Sequence, residues 1–132
     1  MSEETVAVVR GSYEAYVQGD FEAALGAYSD DTEWDDTRVR PEGGVHHGPE
    51  AVSERTRTWR GTFSDYTFEI EDVIDAGAHV VVSYRDRGRG KSSGVQVENH
   101  WGLVVTVEAG RITRTVFYPS LPEALRATGL AE

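Results

Sequence analysis

Residues 12–36 read SYEAYVQGDFEAALGAYSDDTEWDD, and this stretch decides the fold. It contains the end of an amphipathic helix predicted over residues 3–18, where apolar side chains recur every three or four positions. Gly19 separates that helix from the next one. Asp20 is a residue type that caps helix N-termini, so a second, short helix is predicted from there to Tyr28.

A strand rich in acids follows the second helix. Asp30 and Asp31 break the helical pattern, and residues 33–36 (EWDD) are predicted to lie on the first strand. Two helices followed by such a strand are typical of small cone-shaped α+β folds, which build a ligand pocket between helices and sheet. We therefore expect an acid of this strand to face the first helix.

The middle of the chain predicts a loop and a third helix. Residues 37–49 hold glycines, prolines and the pair His46–His47 without a hydrophobic period, which indicates a loop at the mouth of the pocket. Pro49 favours a helix start, and the helix is predicted to run to Trp59 and to end at Gly61.

The remainder of the chain is predicted to be mostly strand. Strands are expected over residues 66–74, 79–87, 95–107 and 111–118, joined by turns that contain glycine. Ser120 and Glu123 have the spacing of a capping box, which predicts a short final helix that stops near Gly129. The predicted fold class is α+β: about three N-terminal helices on a strongly curved, mostly antiparallel sheet, with a short C-terminal helix.

Length and composition narrow the function classes. With 132 residues, the chain is expected to form a single domain over residues 1–132. Its formal net charge of −10 argues against nucleic acid and anionic membrane surfaces as partners. The absence of cysteine excludes disulfides, thiolate nucleophiles and zinc–thiolate sites. The sequence carries neither a signal peptide pattern nor an apolar run long enough to span a membrane, so a cytoplasmic location is expected.

Four segments, taken in order, resemble the SnoaL-like branch of the nuclear transport factor 2-like superfamily. They are GDFEAALGAYSDDTEW, HHGPEAV, FSDYTFEIEDVIDAGAHVVVSYRDRGRGKSSGVQVE and VEAGRITRTVFYPSLPEALRATGL. The resemblance implies three helices against a highly curved sheet, a cavity between them, and dimerisation through the sheet. The superfamily includes ketosteroid isomerases, polyketide cyclases, dehydratases, epoxide hydrolases and members without a known reaction, so the fold alone does not give the function.

Asp36 is similar in position to the general base of the ketosteroid isomerases. In a mostly apolar cavity the pKa of a carboxyl group is raised, because burial disfavours its charged form, and the group can then accept a proton. The alternative is that Asp35 and Asp36 form a solvated strand end. In the same comparison the oxyanion tyrosine falls on Ser12 and the second donor on Gly102, so steroid isomerisation is not predicted. Tyr16, one turn after Ser12, is the candidate donor instead.

The strand predicted over residues 95–107 has two possible orientations. By comparison with the isomerases, Glu98 and His100 face the cavity, and Arg85 joins them from the neighbouring strand. With Asp36 these side chains would form an acid–base set.

The opposite orientation stays open. Trp101, Leu103 and Val105 on the other face of the strand have the character of core residues, and a β-bulge would exchange the faces. In the favoured orientation Tyr84 and Asp86 of the neighbouring strand point away from the cavity.

The leading hypothesis is a cofactor-independent enzyme that uses acid–base chemistry on a small, largely apolar substrate, such as a polyketide, a terpenoid or a similar carbonyl compound. Asp36 is the expected base, with His100 or Tyr16 as the partner donor. Neither a metal nor a cofactor is expected, because the four histidines lack metal-ligand spacing and the chain carries no nucleotide or flavin fingerprint. The expected substrate-binding residues are Tyr13, Trp34, Trp59, Phe63, Arg85, Glu98 and Phe117.

The alternative hypothesis is a non-catalytic module that binds a ligand or dimerises. A purely structural dimer subunit would need the Trp101 face of the long strand to point outward. A homodimer is expected from the family resemblance.

Overall fold

Four helices and six strands lie along residues 2–129, the part of the chain that the computed structural model describes. The helices are α1 (Ser2–Val17), α2 (Phe21–Leu25), α3 (Pro49–Gly61) and α4 (Leu121–Ala127). The strands are β1 (Tyr28–Asp35), β2 (Val45–His47), β3 (Phe63–Asp75), β4 (Val80–Gly90), β5 (Gln96–Glu108) and β6 (Arg111–Tyr118). None of the described helices is long and apolar enough to cross a lipid bilayer.

The helices begin where the capping residues predict. The Asp20 side chain accepts a hydrogen bond from the Ala23 amide at the start of α2, and Ser120 accepts one from the Glu123 amide at the start of α4. The second helix is shorter than predicted, because Tyr28 already belongs to β1 and pairs with Ile112 of β6.

The strands form one sheet in the order β2-β1-β6-β5-β4-β3. β1 and β6 are parallel and the other neighbouring pairs are antiparallel, which confirms the predicted α+β class and the mostly antiparallel sheet. β2 lies inside the segment predicted to be a loop. It pairs with the end of β1, and so it brings the loop of residues 36–44 back against the first strand.

The favoured orientation of the long strand is wrong. β4 and β5 pair without a register shift from Val80 opposite Val105 to Arg89 opposite Gln96, so strict alternation sets their faces. Tyr84 and Trp101 belong to the core cluster that also contains residues of α1 and α3. Glu98 and His100 therefore lie on the outer face of the sheet, where the His100 side chain is 56% exposed.

The position of helix α4 explains why the residue pattern of β4 and β5 did not reveal which face is buried. It covers part of the outer face, where Val81 and Val104 pack with Ala124, so both faces of these strands are apolar over this stretch. Gly102 lies directly under the helix, and a Cβ atom there would be 2.5 Å from the Ser120 carbonyl oxygen. Because Trp101 is buried on the inner face, the hypothesis of a structural dimer through an outward Trp101 face is also wrong.

Candidate functional site

A cavity of about 300 Å³ lies between the N-terminal helices and the inner face of the sheet. About half of its lining residues are aromatic, and α1, α3, β1, β4 and β6 all contribute to the wall. The volume is at the lower end of the roughly 300–1,000 Å³ that is usual for small-molecule sites.

Most of the predicted wall residues line this cavity. They are Tyr13, Trp34, Trp59 and Phe117, and the predicted donor Tyr16 lines the cavity as well. Phe63 lies behind the wall, where its ring packs edge-on against Trp59 with 4.9 Å between the ring centres. The wall also contains two phenols that were not predicted there: Tyr84 of β4, which the favoured orientation turned away from the cavity, and Tyr66 of β3.

The polar residues predicted from the long strand do not reach the cavity. Arg85 bonds to Glu69 on the outer face and lies 3.9 Å from Glu98. The His100 ring is 3.1 Å from the same Glu98 carboxylate. The predicted meeting of these side chains with Asp36 is therefore wrong, since the sheet separates them.

Asp36 is completely buried and held by cations. Its Oδ2 accepts hydrogen bonds from Arg55 Nε at 2.7 Å and from Arg40 Nη1 at 3.2 Å. Its Oδ1 accepts one from the Gly44 amide at 2.9 Å, and His46 Nε2 lies 3.7 Å away. Asp36 is not among the residues that line the cavity, whereas Arg40 and Arg55 are.

The surroundings of Asp36 reverse the expected pKa shift. Burial acts to raise its pKa, but the hydrogen bonds from Arg55 and Gly44 and the charges of Arg55 and Arg40 together hold it below the ordinary value. The prediction of a raised pKa is wrong, and so is the alternative of a solvated strand end. Part of this ion cluster could have been predicted from the sequence, because Arg40 lies only four residues after Asp36. The other partner, Arg55, lies on α3, and only the folded structure brings it to Asp36.

Three buried nitrogen donors, on side chains that line the cavity, have no hydrogen-bond partner among the described residues. They are Trp34 Nε1, Arg40 Nε and Arg55 Nη2. The nearest carboxylate oxygen to Arg55 Nη2 beyond Asp36 belongs to Glu42, at 4.0 Å, which is too far for a hydrogen bond. A buried donor without a partner costs about 1–3 kcal/mol, so these groups favour a molecule with acceptor atoms.

A second buried carboxylate, Asp86 of β4, lies behind the wall and was missed by the sequence reasoning. Its Oδ2 accepts hydrogen bonds from Tyr66 Oη at 2.7 Å and from Trp59 Nε1 at 2.9 Å. Its Oδ1 accepts bonds from Asn99 Nδ2 at 3.1 Å and Trp101 Nε1 at 3.3 Å. The sequence did contain a signal, because Asp86 continues the alternation of buried residues along β4 that includes Val82 and Tyr84. The favoured strand orientation placed all three on the outer face, and so the signal was not recognised.

The phenols next to the cavity are kept protonated by their environment. Burial, and then the charge of Asp86, raise the pKa of Tyr66 far above its ordinary value. Burial also raises the pKa of Tyr16, against the opposing effect of the hydrogen bond that Arg60 Nη1 donates to its hydroxyl at 3.1 Å. Tyr66 therefore presents a neutral hydroxyl that joins the cavity to a carboxylate.

No group of three or more His, Asp or Glu side chains within residues 2–129 comes together in a way that could hold a metal ion. The polar groups of the side chains that line the cavity include phenols, indoles and guanidinium groups, and the carboxylate of Asp86 lies behind Tyr66.

Comparisons with solved structures place this fold among NTF2-like proteins. An NTF2-like protein from Burkholderia thailandensis is 22% identical, with a TM-score of 0.81 over 92% of this chain and 96% of that one. TerC, co-crystallised with polyporic acid, is 17% identical, with a TM-score of 0.74 over 96% and 98% of the two chains. A protein of ketosteroid isomerase-like fold from Catenulispora acidiphila, in complex with trimethylamine, is 20% identical, with a TM-score of 0.70 over 93% and 92%.

A comparison of the sequence with curated proteins finds no match. The family described as the SnoaL-like domain matches residues 9–115, which run from α1 to β6 and include both buried carboxylates. The chain belongs to the SnoaL-like domain family.

Proposed function

We infer that the chain binds a small, largely apolar molecule in the aromatic cavity and carries out acid–base chemistry on it without a cofactor. The observation that carries this proposal is the 2.7 Å hydrogen bond from Tyr66, in the cavity wall, to Asp86 behind it. A carbonyl compound of polyketide or terpenoid type is the substrate class that the family resemblance implies.

In this proposal Tyr66 and Asp86 act as a proton relay. The Tyr66 oxygen accepts a proton from a C–H or O–H group of the substrate while its own proton passes to Asp86 Oδ2. The electron pair stays on the substrate as an enolate or alkoxide, and the proton returns by the same route to another atom of the substrate. Trp59, Trp101 and Asn99 keep the carboxylate oriented toward Tyr66.

The other predicted catalytic residues take different roles in this proposal. Asp36 orients Arg40 and Arg55 instead of accepting a proton, since its lowered pKa makes it a weak base. The two arginines stabilise negative charge that develops on a substrate oxygen. Tyr16 remains a candidate donor, because it lines the cavity and its hydroxyl is held by Arg60.

Ligands in two of the similar structures support small-molecule binding by this fold: polyporic acid in TerC and trimethylamine in the Catenulispora protein. One is an acid and the other an amine, so the shared fold does not decide the charge of the ligand. The side chains of each cavity must decide it.

A second candidate function is ligand binding without a reaction. It is favoured by the hydrogen bonding of Asp86, where each carboxylate oxygen already accepts two bonds from protein donors. Such a carboxylate can serve only to fix the indole and phenol side chains around it.

Deuterium exchange tests the proposal and separates the two functions. The probes are 2-tetralone and phenylpyruvate, a neutral and an anionic ketone, and NMR in D₂O follows loss of the proton next to the carbonyl. The protein is expected to accelerate exchange of at least one probe over buffer. Tyr66→Phe and Asp86→Asn should each lower that acceleration by about 100-fold or more.

The matched control is Tyr118→Phe, which removes a hydroxyl from a tyrosine that does not line the cavity. It should leave exchange unchanged. Binding of a probe without accelerated exchange would favour the non-catalytic function. Full acceleration in Tyr66→Phe would contradict the relay, and the absence of binding by every probe would contradict both functions.

A further inference from the structure

The charge of the cavity wall is opposite to the charge of the chain. The chain has a formal net charge of −10. Among the described residues that line the cavity there are four arginines and neither Asp nor Glu; the arginines are Arg40, Arg55, Arg57 and Arg60. A positive lining in an acidic protein attracts anions to one place while the rest of the surface repels them.

The buried carboxylate next to the cavity does not cancel this charge. Arg40 and Arg55 both bond to Asp36, so two guanidinium groups share one carboxylate. Glu42 is 4.0 Å from Arg55 and its side chain is 68% exposed, where water screens its charge. The cluster of Asp36, Arg40 and Arg55 therefore carries one unpaired positive charge at the cavity wall.

The unpartnered nitrogen atoms on side chains of this wall are all hydrogen-bond donors. Within residues 2–129, Arg40, with 6% of its side chain exposed, has no partner for Nε, and Trp34, which is 5% exposed, has none for its indole N–H. Both side chains adjoin Phe117: its ring centre is 4.8 Å from the Trp34 ring and 5.7 Å from the Arg40 guanidinium carbon. Cationic and neutral donors thus border a flat aromatic surface.

From these observations we propose that the cavity takes small carboxylate anions with a flat apolar body. The apolar part packs against the aromatic wall, and the carboxylate accepts hydrogen bonds from the Arg40 and Arg55 guanidinium groups and from the Trp34 indole. The proposal rests on the inferred binding function and names its substrate class.

Isothermal titration calorimetry with three naphthalene probes of similar shape tests the charge preference. The probes are 1-naphthoate, 1-acetylnaphthalene and 1-naphthylmethylammonium, which are anionic, neutral and cationic at pH 7. The anion is expected to bind at least about tenfold more tightly than the neutral ketone, and the cation most weakly. The ketone retains an acceptor oxygen, so this comparison isolates the charge.

Variants connect the preference to the named side chains. Arg40→Met and Trp34→Phe should each reduce the preference for the anion, Trp34→Phe without loss of the aromatic surface. The control is Arg114→Met, which also removes an ion-paired arginine, here one bound to Glu33 on β1 outside the cavity. It should keep the full preference.

The outcomes separate this inference from the function on which it rests. Equal or tighter binding of the ketone or the ammonium probe overturns the anion preference and leaves the binding function standing. Failure of all three probes to bind overturns the binding function and the inference with it. If Arg40→Met does not fold, the wild-type protein and Trp34→Phe still test the preference for the anion, because both keep the buried charges in place.

Discussion

Asp36 and Asp86 are both buried, but cations hold one and neutral donors hold the other. Asp36 contacts two guanidinium groups, whereas the hydrogen-bond donors to Asp86 are two indoles, a phenol and an amide. The first arrangement stabilises charge and fixes arginines at the cavity. The second connects a carboxylate to a wall phenol, and the different roles proposed for the two acids rest on this difference.

Replacement of Asp36 should be strongly destabilising. Asp36→Asn keeps the shape of the side chain but leaves Arg40 and Arg55 buried without their carboxylate, which typically costs about 3–5 kcal/mol. Urea unfolding at pH 7 measures the effect. The control Asp30→Asn, at an exposed position of β1, should change stability by less than about 0.5 kcal/mol. Equal stabilities of the two variants would contradict the buried ion cluster.

Asp36 should also make the free energy of unfolding depend on pH. The pKa of Asp36 is lower in the folded chain, so the unfolded chain takes up a proton first as the pH falls. The stabilisation that ionised Asp36 contributes is complete above the ordinary aspartate pKa of about 3.9. It is lost as the pH falls through the lower pKa that Asp36 has in the folded chain. Urea midpoints measured from pH 6 downward should fall less steeply in Asp36→Asn than in wild type. Parallel curves would contradict the lowered pKa.

The residues of the site were only partly predictable. Aromatic wall positions such as Trp34 and Phe117 follow from local pattern, and the structure places both in the cavity. The surroundings of Asp36 required the position of Arg55, which tertiary folding brings from α3. The burial of Asp86 could not be predicted, because it depends on which face of β4 the helices cover.

At the element scale, helix α4 determines what the sheet can carry on its outer face. It packs on Val81 and Val104, and it requires a residue without a side chain at Gly102. Apart from β2 and the end of α2, the strand and helix positions followed approximately from hydrophobic period, caps and turns, since these are local signals. The orientation of the strands could not be predicted in this way, because the apolar patch under α4 gives the outer face the same residue pattern as a core face.

The contact between α4 and Gly102 predicts the effect of an added methyl group. In Gly102→Ala the new Cβ would lie 2.5 Å from the Ser120 carbonyl oxygen and 2.9 Å from Ala124 Cβ, so α4 must shift. We expect a loss of about 1–3 kcal/mol in urea unfolding. Gly11→Ala is the matched control in α1, where the new Cβ meets no atom of residues 2–129 within 4 Å; this substitution should stabilise by about 0.5–1 kcal/mol. A neutral Gly102→Ala would contradict this packing.

At the scale of the whole molecule, we propose that the chain unfolds as one unit and associates as a homodimer. A single domain over residues 1–132 should give one cooperative transition with the same midpoint by circular dichroism and by fluorescence. Two separate transitions would contradict the single domain.

The outer face of β3–β5 is the surface through which we expect the dimer to form. Arg85 there contacts Glu69 and Glu98, so Arg85→Glu would place a third acid among them and should give a monomer in sedimentation velocity. Arg10→Glu, on the exposed side of α1, is the control and should remain a dimer. A wild-type monomer, or a dimer that survives Arg85→Glu, would contradict this surface.

The aromatic cavity is the proposed functional site, and not the outer face that carries His100. One NMR titration tests it, because the chain has three tryptophans whose indole N–H signals can be followed separately. Trp34 and Trp59 line the cavity, whereas Trp101 is buried beside Asp86 and does not. On addition of 1-naphthoate, the Trp34 and Trp59 signals should shift most, at the same ligand concentration. Saturable binding that leaves both signals in place and shifts the His100 ring signals instead would contradict the account.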